Sequence, residues 1–255
     1  MTLRRYPAGL LTALPAMALL AHLLPGTARA GEAHYLLVFA SQRVPNNPNY
    51  SHTFATFVRA SWPGDGPCPR CPALEARTIS WLPRSLAVRS LALWPECGRN
   101  LGLHETLRYA LAGEARVSLW GPFRIDAELY RRALRQAALL ESGWVLYKAS
   151  DLGYYSDEVS NCVHAVSSLA DGYRLRLGNP RWGEAASYRV LEELRPWVLD
   201  GGRVYAWVGC ALGLGRYPII YRGGDPPRPE VLWGTLDWLL GQDEDPTATY
   251  GPVGR

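Results

Sequence analysis

The residues best suited to covalent chemistry lie in segment 161–165, which reads Asn-Cys-Val-His-Ala. Asn161 is a preferred N-cap residue, and apolar residues follow at helical spacing as far as Leu169, so the pattern predicts a helix that begins at Cys162. In the first turn of a helix, the helix dipole and the unpaired amides favour a thiolate. The spacing is equally compatible with a nucleophile and with a buried structural thiol.

A nucleophilic cysteine needs a base, and the nearest histidine in the sequence is badly oriented. His164 follows Cys162 by two residues, a rotation of roughly 200° on a helix, so its ring points away from the sulfur. His52 is the better candidate because it begins segment 52–58, a β-rich run that could hold an imidazole rigidly. A single histidine in a strand is more commonly structural, and that alternative stays open.

These two segments together resemble a known family. The order of a histidine-bearing strand followed by an Asn-Cys-x-His helix is similar to the circularly permuted branch of the NlpC-like papain-fold superfamily, which includes the lecithin:retinol acyltransferase-like proteins. The family motif is Asn-Cys-Glu-His followed by an aromatic residue, and segment 161–165 matches it at three of five places. Segment 51–54, Ser-His-Thr-Phe, is similar to the Gly-His-x-Phe strand of exported bacterial relatives. The resemblance loosely covers residues 34–170.

The resemblance implies a catalytic role for each matching residue. Cys162 would be the nucleophile, His52 its base, and a polar residue on the next strand, in segment 77–83, would orient the imidazole. The family prefers a histidine or another strongly polar group there, whereas this chain offers Thr78 or Ser80, and we name Ser80 as the third catalytic residue. Glu75 and His104 are the alternatives for this role. A hydroxyl can fix the tautomer but stabilises an imidazolium less than a carboxylate does, so the resemblance is compatible with low or absent activity.

A polar and aromatic loop precedes the cysteine helix. Segment 151–160 contains Tyr154 and Tyr155 and leads to Asn161. Because loops beside a nucleophile commonly contact substrate, we expect Tyr154, Tyr155 and Asn161 to bind it. A solvated loop without such a role is the alternative.

The N-terminus has the pattern of a secretory signal. Arg4 and Arg5 precede an apolar run over 8–24, and segment 28–30 is a small-x-small cleavage site. We therefore expect residues 1–30 to be a signal peptide and the protein to be exported to the periplasm or the medium. An uncleaved signal would be the only route to a membrane that the sequence suggests.

The charge balance gives little support for nucleic-acid binding. The chain carries 27 Lys and Arg residues against 23 Asp and Glu. Three of the cations and none of the acids lie in residues 1–30, so the mature chain would have a formal charge of +1. There is no basic stripe, and we expect no nucleic-acid partner.

Five cysteines in an exported chain favour disulfide pairs with one thiol left over. Cys68 and Cys71 form a Cys-x-x-Cys pair in a Pro/Gly-rich insertion, and we expect a disulfide between them or from one of them to Cys97. Zinc bound by these three with His104 is the alternative, although the second half of such a site lacks motif spacing. We therefore expect no metal and no other cofactor. Cys210 is predicted to be a buried thiol.

The remaining pattern predicts mixed secondary structure. Helices are expected from about residue 103, over 126–141, 184–194 and 230–240, and strands over 34–41, from 52, and over 77–82, 116–120, 144–148, 203–208 and 217–222. Gly121 and Pro122 are expected to end the strand before them. These elements indicate an α+β fold with a small, largely antiparallel sheet packed on the cysteine-bearing helix, and the resemblance implies a permuted papain-like arrangement. We assign 31–222 to one NlpC-like domain and 223–255 to a linker, a terminal amphipathic helix and a polar tail.

The expected function is that of an exported thiol-dependent hydrolase or acyltransferase acting on an amide or ester through a Cys-His pair. The resemblance implies a cell-wall peptide or a lipid as substrate and does not choose between them. The alternative is a non-catalytic exported binding domain with a degenerate site.

Overall fold

The computed structural model describes residues 31–45, 47–62, 72–151, 156–170, 175 and 183–227. Outside this part lie the predicted signal peptide, Cys68, Cys71, Tyr154, Tyr155 and the predicted helix over 230–240. In the described part of the chain, no helix is both long enough and apolar enough to cross a bilayer.

The described residues form a mixed α/β structure. The strands are β1 (Gly31–Gln42), β2 (His52–Trp62), β3 (Ala73–Ile79), β4 (Trp81–Pro83), β5 (Glu96–Asn100), β6 (Arg116–Ile125), β7 (Leu146–Tyr147), β8 (Val159–Ser160) and β9 (Ile219–Gly223). The α-helices are α1 (Leu103–Ala112), α2 (Ala127–Glu141), α3 (Cys162–Ser167), α4 (Glu184–Leu194) and α5 (Ala206–Ala211).

The main sheet has five strands in the order β3-β2-β1-β6-β9. All its pairs are antiparallel except β6 with β9, and β1 and β2 form a hairpin. A smaller sheet has the order β4-β5-β7-β8. Gly98 of β5 lies against the ring of Trp81 of β4, and a Cβ at Gly98 would come within 1.8 Å of that ring. Only glycine allows this approach.

Helices cover both faces of the main sheet. One face packs on α2, α3 and α4, and the other packs on α1 and α5. Successive residues of β1 alternate between the two cores: Leu36 and Val38 face the first, and Leu37 and Phe39 face the second. Burial on both sides explains why β1 is an almost continuous apolar run. The sheet is therefore more extensively covered than the single cysteine helix of the sequence prediction implies.

The sequence predicts most of these elements, and α2 is found with the predicted bounds. Its first turn is capped by Asp126, whose side chain accepts the Glu128 N–H at 2.7 Å. The predicted end of a strand at Gly121 is wrong, because β6 continues through Pro122 to Ile125. Gly121 has a φ of +90°, and a Cβ there would lie 2.6 Å from the Leu36 carbonyl oxygen. The glycine thus accommodates an irregularity inside the strand.

The prediction for segment 203–208 is also wrong. The chain forms the helix α5 from Ala206, which contributes Val208 and Gly209 to the interior. Cys210 lies on the exposed side of that helix and is not the buried thiol that was expected. A short apolar run is ambiguous between strand and helix, and here packing against the main sheet favours the helix.

Candidate functional site

Cys162 occupies the predicted position at the beginning of α3. Asn161 is the N-cap residue, and its side-chain oxygen accepts the His164 N–H at 2.8 Å. Cys162 is therefore the first helical residue; the residue as a whole is partly exposed, whereas its sulfur is buried. His164 is buried on another side of α3, with its Nε2 3.4 Å from the Asp151 carboxylate.

His52 is the first residue of β2, and it is buried with 3% of its surface exposed. Its Nε2 lies 2.9 Å from the Ser80 hydroxyl, whereas its Nδ1 has no hydrogen-bond partner among the described residues. Burial lowers the pKa of His52 from 6.5 to about 3. At neutral pH the ring is uncharged. In the tautomer that donates Nε2–H to Ser80, Nδ1 carries a lone pair that can accept a proton.

The chain topology brings Cys162 to the start of β2, at the backbone of the residue that follows His52. The N–H of Thr53, the residue that follows His52, donates a hydrogen bond to the Cys162 sulfur. The pairing of β3 with β2 extends only to Ala55, so Thr53 lies past the paired stretch and its amide is available to the sulfur. A residue at the start of β2 and the first turn of α3 therefore meet at one end of the main sheet.

Two opposing effects act on the Cys162 thiol. Burial of the sulfur raises its pKa above the ordinary value and is the larger effect. The main-chain N–H groups of Thr53, Val163 and Cys162 lower it. At neutral pH both the Cys162 thiol and the His52 imidazole are thus uncharged. The same N–H groups are the kind of donors that stabilise an oxyanion in acyl transfer.

Ser80 is held at the break between β3 and β4 by Asn100, the last residue of β5. The Asn100 side chain accepts the Ser80 N–H at 2.8 Å and donates to the Thr78 carbonyl at 3.0 Å. Of the two hydroxyl residues proposed as orienters, Ser80 contacts His52, whereas Thr78 bonds Thr56. Sequence reasoning missed Asn100, which had no signal beyond being a polar residue between glycines.

A cavity of about 420 Å³ lies beside His52. Its wall includes Tyr50 from the end of the hairpin loop, Tyr109 from α1, and residues of the segment that follows β4. Burial raises the pKa of the Tyr109 hydroxyl, and the charge of an ionised Cys162 would add to the effect, so the two groups are within electrostatic range of each other. Among the described residues, no side chain that is charged at neutral pH lines the cavity. The space is suited to an uncharged group.

No family model, curated protein or solved structure matches the chain. What the site can do chemically therefore follows from its own residues.

The residues expected to bind substrate have different outcomes. Tyr154 and Tyr155 lie outside the described residues. Asn161 uses its oxygen to cap α3, and its side-chain nitrogen lies 3.3 Å from the Asp151 carboxylate. The side chain of Asn161 is thus engaged in positioning Cys162, and a contact with substrate stays a prediction.

Neither of the other two described cysteines contributes to this site. Cys97 and Cys210 are exposed and free, and the pairing of Cys68 with Cys71 stays a prediction. Within the described ranges, no group of three His, Cys, Asp or Glu side chains is arranged to hold a metal ion. His104, a member of the alternative zinc set, lies in the first turn of α1 with its Nδ1 3.0 Å from the Tyr217 hydroxyl.

Proposed function

We propose that this protein is an exported thiol-dependent hydrolase or acyltransferase that acts on an amide or ester through Cys162 and His52. The observation that carries the proposal is the hydrogen bond from the Thr53 N–H to the Cys162 sulfur, which places the sulfur at the backbone of the residue that follows His52, whose imidazole contacts Ser80. A nucleophile next to a base, with the base oriented by a third group, is the arrangement that acyl transfer requires. The resemblance to permuted NlpC-like papain folds adds support, and the permuted papain-like topology is part of this proposal.

Each residue has one role in the reaction. The Cys162 sulfur attacks the substrate carbonyl carbon while its proton passes to Nδ1 of His52, and main-chain N–H groups at the start of α3 hold the oxyanion. The intermediate collapses to a thioester as the bond to the leaving amine or alcohol breaks, and His52 returns the proton to that group. Water in a hydrolase, or a second alcohol or amine in a transferase, then attacks the thioester carbon as His52 takes its proton. The carbon–sulfur bond breaks, and His52 returns that proton to the Cys162 sulfur.

Because Cys162 and His52 are both neutral at rest, the mechanism must account for how the proton leaves the thiol. Because the thiol pKa is raised and the imidazole pKa is lowered, proton transfer in the empty site is strongly uphill. The transfer must therefore occur together with attack on the carbonyl, as it does for serine nucleophiles. This predicts a preference for activated acyl groups and low intrinsic reactivity toward simple alkylating agents.

Acylation by an activated ester tests the proposal. With p-nitrophenyl acetate, we expect an acetylated Cys162 peptide in mass spectrometry, no such peptide in C162A, and a rate reduced by about 100-fold or more in H52Q. Glutamine can keep a hydrogen bond to Ser80 but cannot accept the thiol proton. S80A should reduce the rate as well, since it removes the orienting hydroxyl.

Controls are available within the chain. Cys97 and Cys210 are exposed free thiols, so their acetylation rates measure ordinary reactivity in the same sample. T78V removes the buried hydrogen bond between the Thr78 and Thr56 hydroxyls, on the strand that leads to Ser80. Thr78 does not bond His52, so this variant should leave the acetylation rate unchanged. If Cys162 is acetylated no faster than Cys97 and is insensitive to H52Q, the proposal is wrong.

The raised pKa of the Cys162 thiol and the lowered pKa of the His52 imidazole favour a second candidate, a non-catalytic exported binding domain. A buried neutral thiol and a weakly basic imidazole are also what a degenerate site would contain. In that case the cavity beside His52 would bind an uncharged ligand without chemistry. Acetylation by p-nitrophenyl acetate separates the two, because both predict slow thiol alkylation but only a binding domain predicts a Cys162 that is unreactive toward activated esters as well.

A further inference from the structure

The segment between β4 and β5 exposes three large apolar side chains. Leu91, Leu93 and Trp94 are 81%, 61% and 74% exposed. We call residues 84–95 the apolar loop. Single exposed apolar residues are common, but three within four positions form a patch of the kind that marks an interaction surface.

The base of the apolar loop is fixed to the body of the protein. The Tyr109 hydroxyl donates to the Leu86 carbonyl at 2.9 Å, and the Ser90 N–H donates to the Asn49 side chain at 3.0 Å. The loop is therefore presented in a defined conformation, and its apolar side chains project from a fixed base. A surface formed in advance loses little conformational entropy when it binds.

The charges of the apolar loop have one sign. Arg84 and Arg89 are exposed, and residues 84–95 contain no acidic side chain; the next residue, Glu96, places its carboxylate on the Ser85 hydroxyl at 3.0 Å. Among the described residues, neither arginine forms an ion pair. Leucine and tryptophan flanked by arginines are the combination that suits a bilayer interface with anionic headgroups, because the apolar groups enter the acyl boundary and the cations remain at the headgroups.

The apolar loop is also continuous with the cavity beside His52. Leu86, Ala87 and Val88 form part of the cavity wall, and the exposed apolar residues follow within a few positions. A surface on which the apolar loop rested would therefore face the mouth of the site.

We propose that the apolar loop docks this protein on the surface of a bilayer that carries anionic headgroups. The sequence suggests membrane contact only through an uncleaved signal, and this surface is a second and separate one. The proposal does not depend on catalysis, because C162A should bind vesicles as the wild type does.

Vesicle flotation with the full chain tests the proposal. Wild-type protein should bind phosphatidylcholine vesicles that contain phosphatidylglycerol, and the L91S/L93S variant should bind at least tenfold more weakly, since it removes two side chains that would enter the bilayer. R84Q/R89Q should weaken binding roughly fivefold for each arginine, and added salt should weaken the wild type in the same direction. W144S and L139S, which remove exposed apolar side chains elsewhere, are the matched controls and should bind normally.

Hydrogen exchange over residues 84–95 provides a second measurement, which reports on the apolar loop even if the N-terminal apolar run contributes to vesicle affinity. Exchange there should slow when anionic vesicles are added. Two results would overturn the proposal: unchanged exchange with equal binding of L91S/L93S and wild type, or a vesicle-independent dimer that L91S/L93S converts to a monomer. The second result would assign the patch to contact between copies of the chain.

Discussion

His52 is a base whose protonation the fold opposes. Its ring is buried, its one hydrogen-bond partner among the described residues is a neutral hydroxyl, and its pKa is lowered to about 3. A carboxylate in place of Ser80 would stabilise the imidazolium and raise that pKa. With Ser80 at this position, the His52 imidazole stays neutral at rest. Proton transfer from Cys162 then requires a bound substrate whose carbonyl is attacked in the same step.

The lowered pKa of His52 predicts a specific loss of stability in acid. The unfolded chain takes up this proton near pH 6.5, whereas the folded chain takes it up only near about 3, so the contribution of His52 is complete above about pH 6.5 and is lost as the pH falls between these values. At about pH 4.5 the free energy of unfolding should have dropped by roughly 2–3 kcal/mol on account of this group.

Urea unfolding of wild type and H52Q at several pH values measures this contribution. His34 and the carboxylates titrate in both proteins. The difference between wild type and H52Q in the slope of unfolding free energy against pH therefore isolates His52. If the free energy of unfolding changes with pH equally in the two proteins between about pH 7 and pH 4.5, the imidazole is not held neutral by burial.

At the scale of single elements, the decisive feature is the first turn of α3. This helix is only six residues long, so the Asn161 cap provides a large share of its local stability. The same cap fixes where Cys162 stands relative to the Thr53 amide. Stability and reactivity should therefore change together when the cap is removed.

The variant N161A should lower the free energy of unfolding by about 1 kcal/mol and slow acetylation of Cys162. N161S restores a side-chain oxygen at the cap and should recover most of both losses. Thermal unfolding and the p-nitrophenyl acetate reaction give the two readouts. If N161S and N161A react equally slowly, then Asn161 acts on substrate directly and not through the cap.

At the scale of the whole molecule, Glu184 connects elements that are distant in sequence. Its buried carboxylate accepts from Ser118 of β6 at 2.7 Å and from Arg222 of β9 at 2.9 Å, and Arg116 lies 3.3 Å away. The Glu184 N–H donates to the side chain of Gln42 at the end of β1. These contacts join the start of α4 to three strands of the main sheet.

Because removing one partner of a buried ion pair leaves uncompensated charge, E184Q should lower the free energy of unfolding by about 3 kcal/mol or more. E192Q, which removes an ion pair with Arg189 on the exposed side of the same helix, should cost about 1 kcal/mol or less. Denaturant unfolding monitored by circular dichroism compares them. Equal losses would mean that Glu184 is better solvated than its burial indicates.

The sequence predicts features that depend on residues close together along the chain, and it fails where a feature depends on contacts between distant residues. The bounds of α2 and the position of Cys162 at the start of α3 are set by caps and apolar spacing within a few residues, so the sequence predicts them. The continuation of β6 past Gly121 depends on the neighbouring strand, and the helical form of segment 206–211 depends on packing against the sheet. Those predictions failed because local pattern carries no information on such partners.

By itself, the sequence determined that a cysteine begins a capped helix and that a histidine begins a strand, because both follow from backbone preferences of adjacent residues. Only the tertiary structure decided that the Thr53 amide reaches the Cys162 sulfur, that Asn100 holds Ser80 against His52, and that the apolar loop projects outward. These features join residues far apart along the chain, and their geometry is fixed by the packing of helices on both faces of the sheet.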